Sequence, residues 1–352
     1  MSDIFEDLFV LELANNHWGS VETGKEIIRQ FGEIVKKHNI KAAMKFQVRD
    51  VDTFIHKDFL NTELDDEANA APGSASRYIK KTLATKLSVD EFKELVEYSK
   101  EWGMVPMSTA FDENSVKICD DIGIEIMKIG SMNAISWPLI EKVVALGKPT
   151  IISNGGTPVE DLDDVVLRFE EAGVPLAINH CVSLYPSEDS DLELHQIDFL
   201  KKRYPRHTIG FSTHEYTDWT NSMLMSYAKG ARTFERHIDI ENDKPVSKYC
   251  STPEQVDIWF TAFHKAKEML GSEELKQRLI TEKEQDYVYS VCRGMYAKRD
   301  LPKGFVITKD GLGSDFYLAI PLQSGQISER DLDSDITLTK DVAIDTPIKS
   351  GN

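Results

Sequence analysis

The chain reads as a (β/α)8 barrel followed by a small, mostly β domain. Three observations predict this. Eight short apolar or β-branched runs recur between residue 8 and residue 237, separated by polar loops and amphipathic stretches. Strands alternating with helices imply a parallel sheet, and eight such units in about 265 residues match a closed barrel in count and size. From residue 287 the pattern changes to short alternating runs around a "PKG" turn. A doubly wound sheet is the main competitor, but eight units exceed its usual count and no GxGxxG opens the first unit.

The eight runs occupy residues 8–13, 42–48, 104–109, 125–130, 149–154, 175–181, 208–213 and 232–237. Between them lie helical patterns such as "GKEIIRQFGEIVKKH" and "DEFKELVEYSKEWG", several closed by a glycine stop. "PEQVDIWFTAFHKAKEMLG" ends the series. The connection 49–88 is long for a barrel loop, and such a loop can become a lid or a substrate wall at the C-terminal face. Its tract "DDEANAAPGSAS" is expected to be flexible. The division is therefore a barrel at 1–272, a linker at 273–286 within the charged stretch "GSEELKQRLITEKEQ", expected to be helical, and a mostly β domain at 287–352.

Apolar content of 41% and charged content of 28% suit a soluble globular protein. No run of about 18 apolar residues is present to cross a membrane. The acidic start "MSDIFEDLFV" lacks the features of a signal peptide, so a cytoplasmic location is expected. Four scattered cysteines form no CxxC and suggest neither zinc ribbon nor disulfide framework. The net charge of −18 excludes a nucleic-acid or anionic-membrane partner, because no basic stripe offsets it. An anionic ligand would need a local positive pocket.

In a barrel the active site lies at the C-terminal strand ends. Those ends carry Glu12 with Asn15, Asn16 and His17; Lys45 with Gln47; Ser108 with Thr109; Lys128 with Ser131; Ser153 with Asn154; His180, Cys181 and Ser183; Ser212 with His214; and Glu235 with His237. Lysines converging with hydroxyls make a cradle for phosphate or carboxylate. A lone histidine at a strand end is ordinarily a polar residue at a loop boundary. Two at equivalent places in successive strands, His214 and His237, can hold a divalent metal and leave positions open for water and substrate.

The runs "LELANNHWGS", "MKFQ", "MSTAFDENSV", "KIGS", "GKPTIISNGG", "NHCVSLYP", "GFSTH" and "FERHI" occur here in the order and spacing of the sialic acid synthase family, which the chain resembles over nearly its whole length. The tail from residue 287 resembles the antifreeze-like (SAF) domain that follows the barrel in that family. The resemblance implies a phosphoenolpyruvate-dependent transferase, including spore coat polysaccharide synthase-like members, that makes a nonulosonic 2-keto-3-deoxy sugar acid and releases phosphate. It implies a metal at His214 and His237, manganese or else magnesium, with Glu12 and Lys45 beside the chemistry. Lys45, Lys128, Ser131, Ser153, Ser183 and Ser212 match positions around phosphoenolpyruvate, and Gln47 and Tyr185 match the sugar side. It further implies a homodimer with exchanged SAF domains.

Three departures fall on the sugar side. Lys248 and Tyr249 stand where the family has an Asp-His pair, Asn133 replaces a glutamate, and Ile320 before Pro321 replaces an arginine of the SAF domain. Conserved chemistry on a different aldehyde is the expectation. One alternative is a 3-deoxy-octulosonate-phosphate type of synthase, with Arg49, Arg77 or Lys80 for a second phosphate. The other is a non-catalytic carbohydrate-binding protein.

Overall fold

A computed structural model describes residues 4–60, 75–272 and 278–351. The chain divides into two compact units, Met1–Gly271 and Ser272–Asn352. In the first, eight parallel strands follow one another around a barrel: β1 Leu8–Ala14, β2 Ala42–Val48, β3 Val105–Ala110, β4 Ile126–Ile129, β5 Thr150–Ser153, β6 Leu176–Cys181, β7 Thr208–Thr213 and β8 Thr233–Ile238. β1 pairs with both β2 and β8, so the sheet closes and the doubly wound alternative falls. A two-residue strand, Cys250–Ser251, extends the sheet beside β8 at His237. It is too short to leave a signal in the sequence.

Side chains alternate across each strand. Phe9, Leu11 and Leu13 of β1 join Met44, Phe46, Ile152, Phe211 and Phe234 in the large core between barrel and helices. Leu8, Val10, Ala43, Met107, Ile126, Ile151 and Ala177 form a separate apolar cluster inside the barrel. Glu12, Lys45, Thr109, Lys128 and Ser153 each lie two residues further along the same interior faces, and Cys181 lies four beyond Ala177. The interior therefore changes from apolar to charged toward the C-terminal strand ends.

The helix Val21–His38 starts on the Ser20 side chain, which accepts from the Thr23 amide, and stops at Asn39 in the left-handed region (φ 50°). Phe9 packs edge-on against Trp259, Phe260 and Phe263 of the helix Pro253–Leu270, fastening the last helix over the first strand. The tract "DDEANAAPGSAS" lies almost wholly outside the described residues, and the helix Ala75–Ala84 follows it.

The second unit has its own core, including Met295, Leu301, Phe316, Leu338 and Ile348. Two antiparallel pairs form within it, Gly294–Ala297 with Phe316–Ala319 and Val306–Ile307 with Ile336–Thr337. The expected boundary at 287 needs correction. A helix runs Glu282–Val291, opened by the Thr281 side chain, and crosses from the supposed linker into the supposed β domain. Its sequence "YVYSV" has β-like composition, but an N-cap and two acidic residues in the first turn favour helix. Ile320 is exposed on this unit.

Candidate active site

A cavity of about 940 Å³ opens at the C-terminal ends of the barrel strands. At its base Lys45 lies between two carboxylates, 2.5 Å from Glu12 Oε2 and 2.6 Å from Glu235 Oε1. Lys128 stands 3.4 Å from the other oxygen of Glu235 and donates to Ser153 Oγ at 2.7 Å. Ser212 donates to Glu235 Oε1 at 3.3 Å. All six side chains are buried. Register explains the convergence: Glu12 pairs with Lys45 across β1–β2, and Ser212 with Glu235 across β7–β8.

Burial and pairing act in opposition here. Burial pushes the Glu12 carboxyl up, with Lys45 opposing it. Burial would also raise Glu235, but Lys128 and Lys45 prevail and bring it down to about 2. Burial works against the Lys45 ammonium, yet its two carboxylates hold it above its ordinary range. Lys128, with only the more distant contact to Glu235, is pulled down by burial. Glu12 is also fixed by backbone. A bulge after it turns Ala14 to a left-handed φ of 51°, and the Ala14 amide donates to Glu12 Oε1 at 2.7 Å. Such local strain is found where a functional group must be aimed.

Ser131 and Ser183 complete the hydroxyl wall through Gly155. A Cβ at residue 155 would stand 2.2 Å from Ser183 Oγ and 2.8 Å from Ser131 Oγ, so only glycine admits both. The Gly155 amide donates to Ser131 Oγ at 3.1 Å.

In the same cavity, two residues beyond Ser212 and Glu235, the rings of His214 and His237 have centroids 5.4 Å apart. Tyr185 packs on His214 at 3.9 Å, and Tyr249 stands edge-on to His237 at 5.2 Å. His214 Nδ1 lies 2.9 Å from the Val182 carbonyl. A carbonyl only accepts, so Nδ1 carries the proton and Nε2 keeps its lone pair. Burial lowers His214 to about 4 and lowers His237 well below the ordinary histidine value, so both rings are neutral near pH 7. Two neutral imidazoles facing one space fit a divalent metal. Among the described residues no group of three His, Cys, Asp or Glu side chains surrounds one ion position. Water or substrate would have to complete the shell.

Thirteen of the fourteen residues expected in the site line this cavity: Glu12, Lys45, Gln47, Lys128, Ser131, Ser153, Ser183, Tyr185, Ser212, His214, His237, Lys248 and Tyr249. Asn133 does not. It sits in a 3-10 turn after β4 with its amide group near the Phe111 carbonyl, 3.5 Å away. Ser108 and His180 face outward, Ser108 donating to the Phe46 carbonyl and His180 bonded to the Leu192 carbonyl at 2.7 Å. His17 is buried outside the cavity. Glu235, noted at a strand end, turns out to be the anion that anchors both lysines. The alternation in "FERH" that puts it on the face of His237 is the signal that finds it. Of the basic residues considered for a second phosphate, Arg49 lines the cavity and Lys80 does not, whereas its neighbour Lys81 does. The side chain of Arg77 lies outside the described residues.

The NeuB family pattern matches residues 35–275. A solved structure from Chromobacterium violaceum, provisionally named spore coat polysaccharide biosynthesis protein E, is 33% identical and matches 99% of each chain with a TM-score of 0.88. An N-acetylneuraminate-9-phosphate synthase of Drosophila melanogaster is 30% identical over 251 residues, 70% of this chain and 64% of that enzyme. An N,N'-diacetyllegionaminic acid synthase of Legionella pneumophila is 26% identical over 310 residues, covering 86% of this chain and 83% of that one.

Proposed function

The chain belongs to the NeuB family, and we propose that it condenses phosphoenolpyruvate with the aldehyde of an aldose or amino sugar, giving a nonulosonic 2-keto-3-deoxy acid and inorganic phosphate. The observation that carries this is the convergence of Lys45, Lys128, the serine hydroxyls and the histidine pair in one cavity. In this reading Lys128 and Lys45 bind the phosphate and carboxylate of phosphoenolpyruvate, and Ser131, Ser153, Ser183 and Ser212 donate to its oxygens. His214 and His237 hold the metal, manganese or magnesium. When bound, that ion supplies positive charge to the aldehyde oxygen.

The methylene carbon of phosphoenolpyruvate attacks the aldehyde carbon, and the aldehyde oxygen takes its proton from Glu12, whose raised carboxyl can both give and recover one. Water adds at the enol carbon and returns a proton to Glu12. Cleavage of the carbon–oxygen bond then expels phosphate, which carries off the hydroxyl proton as the keto group forms. No Schiff base is required, and Lys45, held charged by two carboxylates, is an electrostatic clamp rather than a nucleophile.

Gln47, Tyr185, Lys248 and Tyr249 form the acceptor side. The resemblance of the tail to a SAF domain supports a homodimer that exchanges it. Light scattering that gives a monomer would remove this part of the reading.

The test is phosphate release from phosphoenolpyruvate with manganese across a panel of aldoses and amino sugars, with His214→Ala and His237→Ala alongside. Sugar-dependent release that both substitutions abolish is the expected outcome. Absence of phosphoenolpyruvate binding would overturn the assignment.

A further inference from the structure

Cations outnumber carboxylates in the lining of the cavity. Five cations line it, Lys45, Arg49, Lys81, Lys128 and Lys248, against two carboxylates, Glu12 and Glu235. Both carboxylates are engaged by Lys45 and Lys128. Arg49, Lys81 and Lys248 are the other cations of the lining; Lys81 lies 5.1 Å from the Trp18 ring centroid and offsets the burial of the Asp239 carboxyl, and Lys248 lies 5.5 Å from the Tyr216 centroid.

Arg49 is the most informative of them. Among the described residues its hydrogen-bond partners are neutral: Gln47 Oε1 at 2.6 Å, the Tyr78 hydroxyl at 3.1 Å and Asn15 Oδ1 at 3.3 Å. Its guanidinium also lies 3.7 Å from the centroid of Phe111. All four partners line the cavity. A guanidinium has five N–H groups, so these contacts fix its plane and leave two donors. A planar, pre-oriented fork of this kind suits phosphate or carboxylate better than a hydroxyl. Lys81 is one helical turn from Tyr78 on the helix Ala75–Ala84, which puts it on the same face.

The placement along the cavity matters as much. Arg49 follows Lys45 by four residues, about 13 Å along the chain at strand rise. A small molecule held at Lys45 and Lys128 leaves Arg49 to whatever lies further out. In the proposed reaction that is the end of the acceptor remote from its aldehyde.

We infer that Arg49, with Lys81 beside it, is a subsite for an anionic group, phosphate or carboxylate, at the distal end of the acceptor, so that the substrate is a sugar phosphate or an acidic sugar rather than a neutral one. This rests on the synthase reading above. The rival is that these cations only steer phosphoenolpyruvate inward.

A matched set of acceptors separates the cases: a 2-acetamido aldose, its 6-phosphate and its 6-carboxylate, assayed by mass spectrometry of the product. The wild type should favour an anionic member over the neutral one by at least tenfold in kcat/KM, and which member leads identifies the anion. Arg49→Met should raise KM for that acceptor by about 10- to 100-fold, the loss of a charge-assisted hydrogen bond. Arg49→Lys should recover part of it. Calorimetric titration with phosphoenolpyruvate should be the same in all three proteins. Preference for the neutral sugar, or equal loss for all acceptors, would overturn the subsite. So would weakened phosphoenolpyruvate binding in Arg49→Met, which would favour steering. No product from any acceptor and no phosphoenolpyruvate binding would instead remove the synthase reading on which the subsite depends.

Discussion

Lys45 is buried in a site where Glu12 and Glu235 sustain its charge. Replacing it with methionine leaves two carboxylates facing each other without their cation, and removing one partner of a buried ionic group costs about 3–5 kcal/mol. Urea unfolding of Lys45→Met should show a loss of that size, together with lost phosphoenolpyruvate binding. Gly155→Ala should be milder: the new methyl displaces the Ser131 and Ser183 hydroxyls, raising KM for phosphoenolpyruvate about tenfold, the cost of one hydrogen bond, while the fold persists. His17 illustrates a strand-end residue whose role is structural. Its Nδ1 accepts from the Gly19 amide at 3.0 Å and burial holds its pKa at about 4. The folded state therefore favours the neutral ring. This contributes stability in full above the unfolded value near 6.5, and loses it as pH falls from there toward 4, for a total of ~3 kcal/mol. His17→Gln should flatten that stretch of the stability–pH curve.

At the scale of elements, His214 directly follows β7 and His237 lies near the end of β8, and a buried ion pair ties the two strand ends together. Arg236 and Glu215, each adjacent to a histidine, are fully buried partners, and Arg236 also donates to the Glu215 carbonyl at 3.2 Å. Breaking it with Arg236→Met should lower unfolding free energy by about 3–5 kcal/mol. Manganese affinity, read by paramagnetic resonance, should weaken as the two rings lose their spacing. The strands themselves were legible because alternation and β-branched runs repeat eight times, and six interior residues at strand ends then follow from period two. What escaped were one-residue phase errors. Ser108 and His180 sit beside interior residues but face the helices. The bulge that turns Ala14 and caps Glu12 depends on backbone contacts that no residue type in "LELANN" announces. The family motif that points to Asn133 crosses a turn whose side chains do not all enter the cavity.

For the whole molecule, two separate cores imply two separable stabilities. The barrel unit ends at Gly271 and the second unit has its own cluster around Phe316. A fragment ending at Gly271 should fold by itself and still bind phosphoenolpyruvate in calorimetric titration, because every lysine and serine of the proposed phosphoenolpyruvate site lies before residue 272. No helix among the described residues is long and apolar enough to cross a membrane. In a chain of net charge −18, Lys45, Lys128 and Arg49 gather positive charge in the strand-end cavity, where the proposed reading places the anionic substrate. Condensation and simple dephosphorylation both release phosphate, but they break different bonds. The most direct measurement is therefore turnover of phosphoenolpyruvate labelled with oxygen-18 at the bridging position, with manganese and an active acceptor. Condensation with carbon–oxygen cleavage predicts that the label leaves in the phosphate, only when sugar is present. Unlabelled phosphate, released with or without sugar, would mean phosphorus–oxygen cleavage and contradict the synthase.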